Sequence, residues 1–215
     1  MDDRHNIAGI DGCRAGWVVA TFNGAFVLRK LRLELFELVG IDMPIGLIDG
    51  PQRACDMAAR RYLARGGSSV FPAPPRAALD CTNYRDALAA ARAATGRGIS
   101  RQTFNIIPKV AELDRLIDES NQSSVLEVHP ECAFKMLNAG GALPSKKTGA
   151  GQGIRRHLLT DHFDLPSTPP SGAAMDDLLD AYAVLWSVCR FELGEHTLFG
   201  DGQRDARGIE MRIVC

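Results

Sequence analysis

The chain has 215 residues, and its 25 Lys and Arg against 26 Asp and Glu give a formal net charge of -1 at pH 7. Its 46% hydrophobic and 24% charged content is that of a globular protein, which excludes disorder, collagen and coiled coil for the whole chain. The length predicts one elaborated domain over 1–215. No apolar run reaches the roughly 20 residues of a membrane span, and the first residues lack a signal-peptide layout. We therefore expect a soluble, cytoplasmic protein with no membrane partner.

The near-neutral net charge conceals an uneven distribution. Between Arg53 and Lys109 there are ten basic and three acidic residues. Such an excess favours a surface for a polyanion, while a solvated basic helix surface is the alternative. Arg97, Arg101 and Lys109 are the candidates in this segment for contacts with a nucleic-acid backbone. The six cysteines include no CxxC pair, so we expect free core thiols rather than a zinc site.

In chain order, the elements predict an α/β domain with a mixed sheet. Residues 7–21 predict a β-hairpin around a Gly-rich turn, 26–31 predict a third strand, and 39–42 predict a fourth that Pro44 ends. A long, mainly helical excursion over 43–122 precedes the next strand. The remaining expected elements are helices at 34–38, 53–65, 84–94, 108–119, 155–162 and 174–194, a helix after residue 130, a strand at 124–129 and a final edge strand.

Two aspartates end predicted strands. Asp11 is at the end of the first strand and precedes Gly12, and Asp42 ends the fourth strand and precedes Met43 and Pro44. Open α/β sheets bind ligands at the carboxyl ends of their strands, so these acids are candidates for one shared site. The alternative for each is an ordinary turn residue.

Two further aspartates lie near the start of the predicted long helix. Asp177 and Asp180 are three positions apart and project from one helix face, although stabilisation of the helix dipole is an alternative for Asp177. Unit charges about 4 Å apart repel by roughly 4 kcal/mol at an effective dielectric of 20, so converging carboxylates require cations. Mg²⁺ or Mn²⁺ fits such ligands, and two ions can hydrolyse a phosphodiester. The predicted metal ligands are Asp11, Asp42, Asp177 and Asp180.

Other candidates lie in the second half of the chain. Glu127, in the strand motif EVHPE, is a further catalytic candidate, and an ion pair with the basic excursion is its alternative. Lys146, Lys147 and Arg155 flank the glycines of GAGQG at 149–153, where backbone N–H groups leading into a helix predict a phosphate nest. The pattern is not a P-loop, because the lysines precede the glycines, and a Gly-rich helix entry is the alternative.

Seven motifs, in order, resemble those of a bacterial and archaeal domain-of-unknown-function family of predicted RNase H-like nucleases: GIDGCRAGW, IDMPIGL, SSVFPAP, NIIPKVAELD, EVHPE, KKTGAGQGIRR and DDLLDA. The resemblance implies an RNase H-like fold, a mixed five-stranded sheet flanked by helices, with the first three strands antiparallel. The helical excursion predicted over 43–122 then lies between strands four and five. It implies that Asp11 and Asp42 are the acids of strands one and four. Asp177 and Asp180 resemble the paired aspartates on the last helix of Holliday-junction resolvases.

The sequence thus predicts a hydrolase, a metal-dependent nuclease that cleaves nucleic acid by a two-metal, acidic-cluster mechanism with Mg²⁺ or Mn²⁺. One alternative is a non-catalytic nucleic-acid-binding or scaffold protein of the same fold. Another is a single-lobe relative of actin-like ATPases and sugar kinases, whose first hairpin resembles IDGCRAGW. Those proteins use two lobes and a second Gly-rich phosphate hairpin, which this sequence lacks.

Overall fold

The computed structural model describes residues 6–50 and 52–215. The first five residues, part of the segment predicted to lack a signal peptide, lie outside the described residues. The described chain divides into two compact units. The sheet unit runs to Asp42 and resumes over Ser124–Thr197 and Val214–Cys215; the helical unit is Met43–Ser123 and Leu198–Ile213. The strands are β1 (Ile7–Cys13), β2 (Gly16–Thr21), β3 (Gly24–Leu28), β4 (Leu38–Ile41), β5 (Val125–Glu127), β6 (Leu198–Phe199) and β7 (Ile213–Val214). The helices are α1 (Ala54–Leu63), α2 (Tyr84–Thr95), α3 (Arg101–Leu116), α4 (Pro130–Leu137), α5 (Gly149–Thr160) and α6 (Met175–Glu192).

The sheet unit is built on a five-stranded mixed sheet in the order β3-β2-β1-β4-β5. Strands β1, β2 and β3 pair antiparallel, while β4 is parallel to both β1 and β5. This arrangement confirms the predicted α/β class and is consistent with an RNase H-like fold. The excursion between strands four and five is also confirmed, because α1, α2 and α3 all lie between β4 and β5.

Helix α6 forms the centre of the sheet unit. Every residue from Leu178 to Val188 is buried, as expected for a helix whose sequence is apolar around its whole circumference. Its neighbours in the core include Val18 from β2, Leu126 from β5 and Phe134 from α4. The long helix is therefore fixed against the sheet by packing on several sides, which holds its one fully buried acid, Asp180, in a set position.

Several element boundaries differ from the predicted ones. Helix α3 begins at Arg101 instead of Pro108, because the Ser100 hydroxyl caps it by accepting a hydrogen bond from the Thr103 N–H at 2.9 Å. Pro108 therefore lies inside the helix. The helix predicted over 34–38 is a single 3-10 turn, Leu33–Leu35, and the predicted final strand is reduced to the two residues of β7.

Arginines brace the helical unit internally. Arg76 donates to the carboxylates of Asp114 and Asp205 at 2.8 and 2.6 Å. Arg53, which is 3% exposed, binds Asp56 with two nitrogens and also donates to the carbonyl of Ile45. Part of the positive charge of the excursion is thus used for its own structure. No helix in the described ranges is long and apolar enough to cross a membrane.

Candidate metal centre

Three aspartates meet in the sheet unit. One carboxylate oxygen from each of Asp11, Asp42 and Asp180 lies within 4.8 Å of the others. Asp11 comes from β1, Asp42 follows β4, and Asp180 lies in the second turn of α6. Three of the four predicted metal ligands are therefore brought together by two neighbouring strands and one helix.

The parallel pairing of β1 with β4 explains how the two strand acids meet. Ile10 is opposite Ile41 in the register, so Asp11 and Asp42 each come one residue after this pair. The backbone N–H of Asp42 also donates to the Ile10 carbonyl at 2.9 Å. Asp11 is buried and Asp42 is half-buried, so the local sheet geometry presents both carboxylates at one edge.

Burial makes this group of acids electrostatically costly. Desolvation raises the pKa of Asp11 well above its ordinary value, and the nearby carboxylates of Asp42, Asp180 and Asp177 raise it further. Desolvation also raises the pKa of Asp180 to about 7, although Lys146 acts in the opposite direction. The acids therefore hold protons more tightly than free aspartates, as expected when carboxylates share a buried site.

Lys146 supplies one positive charge to the group. Its Nζ lies 2.5 Å from Oδ2 of Asp180, and the other carboxylate oxygen, Oδ1, is buried without a hydrogen-bond donor among the described residues. Desolvation lowers the pKa of Lys146, but the charges of Asp180, Asp42 and Asp11 outweigh this effect and raise the pKa above its usual value. Lys146, which we predicted to bind a substrate phosphate, is thus engaged by an acid of the cluster.

Asp177 lies at the edge of this group. Its Oδ2 accepts the backbone N–H of Ala174 at 2.8 Å, which caps the start of α6. This corresponds to the helix-terminus alternative considered for Asp177, although its charge still raises the pKa of Asp11. Among the described residues, the acids that converge within 4.8 Å are Asp11, Asp42 and Asp180, without Asp177.

The basic candidate Arg155 is placed differently from the prediction. Its side chain is 3% exposed, and it donates to both carboxylate oxygens of Glu131 at 2.9 and 2.8 Å and to the Pro144 carbonyl at 2.8 Å. A guanidinium buried in this way does not reach an external phosphate, so Arg155 is a structural residue here. The pairing was not visible in the sequence, because 24 positions separate the partners.

The glycines of 149–153 form the first turns of α5 rather than a separate loop. Thr148 caps this helix, since its side chain accepts the Gly151 N–H at 3.1 Å. A Cβ atom at Gly151 would lie 2.0 Å from the Ser145 carbonyl oxygen, so glycine is required where the preceding loop crosses the helix. The Gly-rich helix entry, considered as the alternative to a phosphate nest, describes this segment. Lys147, in the same loop, is exposed.

Four other sequence candidates lie outside the convergent group. Glu127 ends β5 opposite Ile41 and is 6% exposed. In the helical unit, Arg97 and Arg101 are exposed and Lys109 is half-buried. The Arg101 guanidinium lies 4.6 Å from the centre of the Tyr84 ring, a cation–π contact that orders it at the surface.

Two cysteines, Cys132 and Cys215, form a hydrogen-bonded pair, and the charge of Asp42 acts on Cys132. The sequence predicted free core cysteines but not this pair. All six cysteines are free, as predicted, and four of them are buried, whereas Cys81 and Cys189 are half-buried. Cys132 and Cys215 are fully buried. A hydrogen bond with Cys215 and the proximity of His129 lower the pKa of Cys132 to about 6, against the effect of burial. Burial raises the pKa of Cys215.

Comparison with known proteins gives a family match. Residues 9–204 match a family model described as "Protein of unknown function (DUF429)". No curated protein and no solved structure matches the chain. The geometry of the acid group therefore carries the functional argument.

Proposed function

The chain belongs to the DUF429 family, whose description assigns no activity, and on the geometry of its acids we propose that it is a divalent-metal-dependent nuclease. The observation that carries the proposal is the convergence of three aspartate oxygens within 4.8 Å. In this proposal Asp11, Asp42 and Asp180 hold Mg²⁺ or Mn²⁺, and nucleic acid is the substrate.

The donor set fits a hard divalent cation. All three side chains offer carboxylate oxygens, the ligands that Mg²⁺ and Mn²⁺ prefer, and Mg²⁺ needs few of them because it retains several waters. Oδ1 of Asp180 is a buried acceptor with no donor among the residues described, an arrangement that is rare unless a missing group satisfies it. Burial and then repulsion by the neighbouring acids raise the pKa of Asp11, and the same cation would relieve the repulsion.

A bound divalent cation would lower the pKa of an attacking water and stabilise the charge that develops on the leaving oxygen. The protein contributes rigid positioning, since Asp11 and Asp180 project from regular elements and Asp42 follows one directly. Asp177 caps the helix that carries Asp180 and thereby helps to orient it. Glu127, at the end of the neighbouring strand, is the further acid proposed to take part in proton transfer.

The choice of nucleic acid rests on charge. The segment from Arg53 to Lys109 carries ten basic and three acidic residues. Arg97 and Arg101 are exposed and available to phosphates, and Lys147 is a third exposed cation, in the sheet unit. Contacts of this kind provide affinity without sequence specificity.

The proposal is tested with labelled single- and double-stranded DNA and RNA, incubated with the wild type, Asp42→Asn and the exposed control Asp161→Asn. We expect cleavage that requires Mg²⁺ or Mn²⁺ and stops in chelator. Loss of a metal ligand removes several kcal/mol of transition-state stabilisation, so Asp42→Asn should be slower by at least about 100-fold. A wild type that neither cleaves any of these substrates nor binds either metal would overturn the proposal.

One observation favours a second candidate, a non-catalytic nucleic-acid-binding protein. The ammonium of Lys146 already pairs with Asp180 and offsets part of the charge of the acids without a metal. Under this alternative the wild type binds nucleic acid but does not cleave it, and divalent metal leaves its stability unchanged. The same assays therefore separate the two functions.

A further inference from the structure

Lys146 and a divalent cation would compete for the same carboxylate. The Lys146 ammonium lies 2.5 Å from Oδ2 of Asp180, one of the three acids whose oxygens converge. We propose that Lys146 is an internal counter-cation that pairs with Asp180 in the metal-free protein and is displaced toward solvent when metal binds. This inference rests on the proposed metal-dependent function and adds a specific role for one residue in it.

The charge balance of the site supports an exchange. Three carboxylates converge, and among the described residues the ammonium of Lys146 pairs directly with one of them, 2.5 Å from Oδ2 of Asp180. A divalent cation on Oδ1 of the same carboxylate supplies the charge that Lys146 provides and repels the ammonium on Oδ2 at short range. The two cations therefore exclude each other from Asp180.

The surroundings of the two side chains allow only Lys146 to leave. The side chain of Lys146 is 37% exposed, whereas that of Asp180 is 3% exposed. A lysine side chain has a flexible four-carbon stem, so its ammonium can move several ångströms without any backbone change. Asp180 lies in the buried centre of α6 and stays in place.

The backbone that carries Lys146 is anchored on both sides. Arg155 donates to the Pro144 carbonyl at 2.8 Å, and the Thr148 hydroxyl donates to the Ser145 carbonyl at 2.8 Å. The ion pair of Arg155 with Glu131 in turn fixes the arginine. The expected movement is thus a rotation of the Lys146 side chain within a fixed loop.

The exchange couples metal binding to recognition of the substrate. Once displaced, the Lys146 ammonium joins that of the exposed Lys147, and adjacent ammonium groups suit the non-bridging oxygens of a phosphodiester. Before metal binds, Lys146 is engaged by Asp180 and does not serve this purpose. The predicted phosphate contact of Lys146 therefore becomes available only in the metal-loaded protein.

The first test is calorimetric titration of Mn²⁺ into the wild type, Lys146→Met and the matched control Lys147→Met at pH 8.5, where protons compete least. Removal of the competing ammonium should tighten Mn²⁺ binding on the order of tenfold, within the usual range of coupling between two sites. Lys147→Met should stay within about twofold of the wild type, because an exposed charge contributes little.

The second test needs no variant. Acetylation of lysines in the wild type is followed by mass spectrometry with and without Mn²⁺. The rate at Lys146 should rise on the order of tenfold with metal, while the rate at Lys147 in the same peptide region stays constant. This internal comparison remains informative if Lys146→Met folds poorly.

The outcomes separate the inference from the proposed function. If Lys146→Met binds Mn²⁺ no more tightly than the wild type and metal leaves acetylation of Lys146 unchanged, the counter-cation role is wrong while the metal site stands. If neither the wild type nor Lys146→Met binds Mn²⁺ or Mg²⁺, the proposed metal site itself is overturned.

Discussion

Gly9 of β1 faces Ala181 of α6 at backbone distance. A Cβ atom at Gly9 would lie 2.2 Å from the carbonyl oxygen of Ala181, closer than any real side-chain contact. Asp11 follows Gly9 by two residues on the strand, and Asp180 immediately precedes Ala181 on the helix. The close approach of strand and helix therefore determines how near these two acids come, and a hydrogen in place of a methyl group makes it possible.

Gly9→Ala should separate β1 from α6. The added methyl group meets backbone atoms, which cannot rotate away. We therefore expect the free energy of unfolding to fall by about 1–3 kcal/mol, the usual cost of overpacking. Mn²⁺ affinity should fall as well, because Asp180 moves away from Asp11. Chemical denaturation and calorimetric titration measure the two effects.

Gly153→Ala is the matched control for this experiment. Gly153 lies in α5, its added Cβ would meet no atom within 4 Å, and alanine favours a helix by roughly 0.5–1 kcal/mol over glycine. It should therefore be neutral or stabilising. Equal destabilisation by both substitutions would show that the close contact between Gly9 and α6 is not the cause of the loss.

Asp180→Asn should remove the response of the protein to metal. Mn²⁺ at a hundred times its dissociation constant stabilises the wild type by about 2.7 kcal/mol, or roughly 5–11 °C in melting temperature for a domain of this size. In chelator at pH 8, Asp180→Asn should melt at or above the wild-type temperature, since repulsion is relieved, and Mn²⁺ should add little. Thermal melts with Asp161→Asn as control check both parts, and a loss of several degrees in chelator would contradict the repulsion argument.

The stability of the metal-free protein should depend on pH through Asp180. Burial raises the pKa of Asp180 to about 7 in the folded state, above the unfolded value of about 3.9, so the folded state binds the extra proton. The resulting stability is present at low pH and is lost as pH rises through 7, by roughly 3 kcal/mol between pH 5 and pH 8. Urea denaturation in chelator should show this loss in the wild type and a smaller one in Asp180→Asn. Parallel pH profiles would mean that Asp180 does not titrate in this range.

Breaking the Glu131–Arg155 pair should destabilise the sheet unit. Removing one partner of an ion pair leaves the other charge uncompensated, so Glu131→Leu, which leaves the 3%-exposed Arg155 guanidinium alone, should cost about 3–5 kcal/mol. Arg155→Met should cost less, because Glu131 is 20% exposed. The double variant Glu131→Leu with Arg155→Met should recover part of this loss, because no lone buried charge remains. Denaturant midpoints of the wild type, both single variants and the double variant give the coupling energy between the two residues. If the two single losses simply add in the double variant, the residues are not coupled and the prediction is wrong.

Neutralising two exposed arginines and the half-buried Lys109 of the helical unit should flatten the salt dependence of nucleic-acid binding. Each phosphate contact contributes about 0.9 to the slope of log affinity against log salt for duplex DNA, so Arg97→Gln, Arg101→Gln and Lys109→Gln together should reduce it by up to about 2.7. Binding isotherms at several salt concentrations measure the slope. The exposed pair Arg29→Gln and Lys30→Gln of the sheet unit is the control, and an unchanged slope in the triple variant would place the binding surface elsewhere.

Much of the fold was predictable because its signals are local in the sequence. The hairpin of β1 and β2 follows from β-branched runs around a Gly-rich turn, and the long helix predicted over 174–194 corresponds to α6. Asp11 and Asp42 were predicted to meet because the sequence puts both at the carboxyl ends of strands that share one sheet edge. The two acids do meet, although Asp11 lies inside β1, which continues to Cys13. By contrast, the predicted start of α3 at Pro108 was wrong, because the Ser100 cap outweighs the preference of proline for a first helical turn.

Hydrophobic periodicity within short windows of the sequence encodes the α/β class, the excursion between the fourth and fifth strands, and the places of Asp11 and Asp42 near the ends of two strands. Which charges pair depends instead on contacts between residues that are distant in the sequence. Lys146 and Asp180 are 34 positions apart, and Arg155 was predicted to contact a phosphate but is buried against Glu131. Such pairs depend on how α4, α5 and α6 pack in three dimensions. This packing buries some charges and leaves others exposed, and the charge balance of the acid group depends on that burial more than on the residue types.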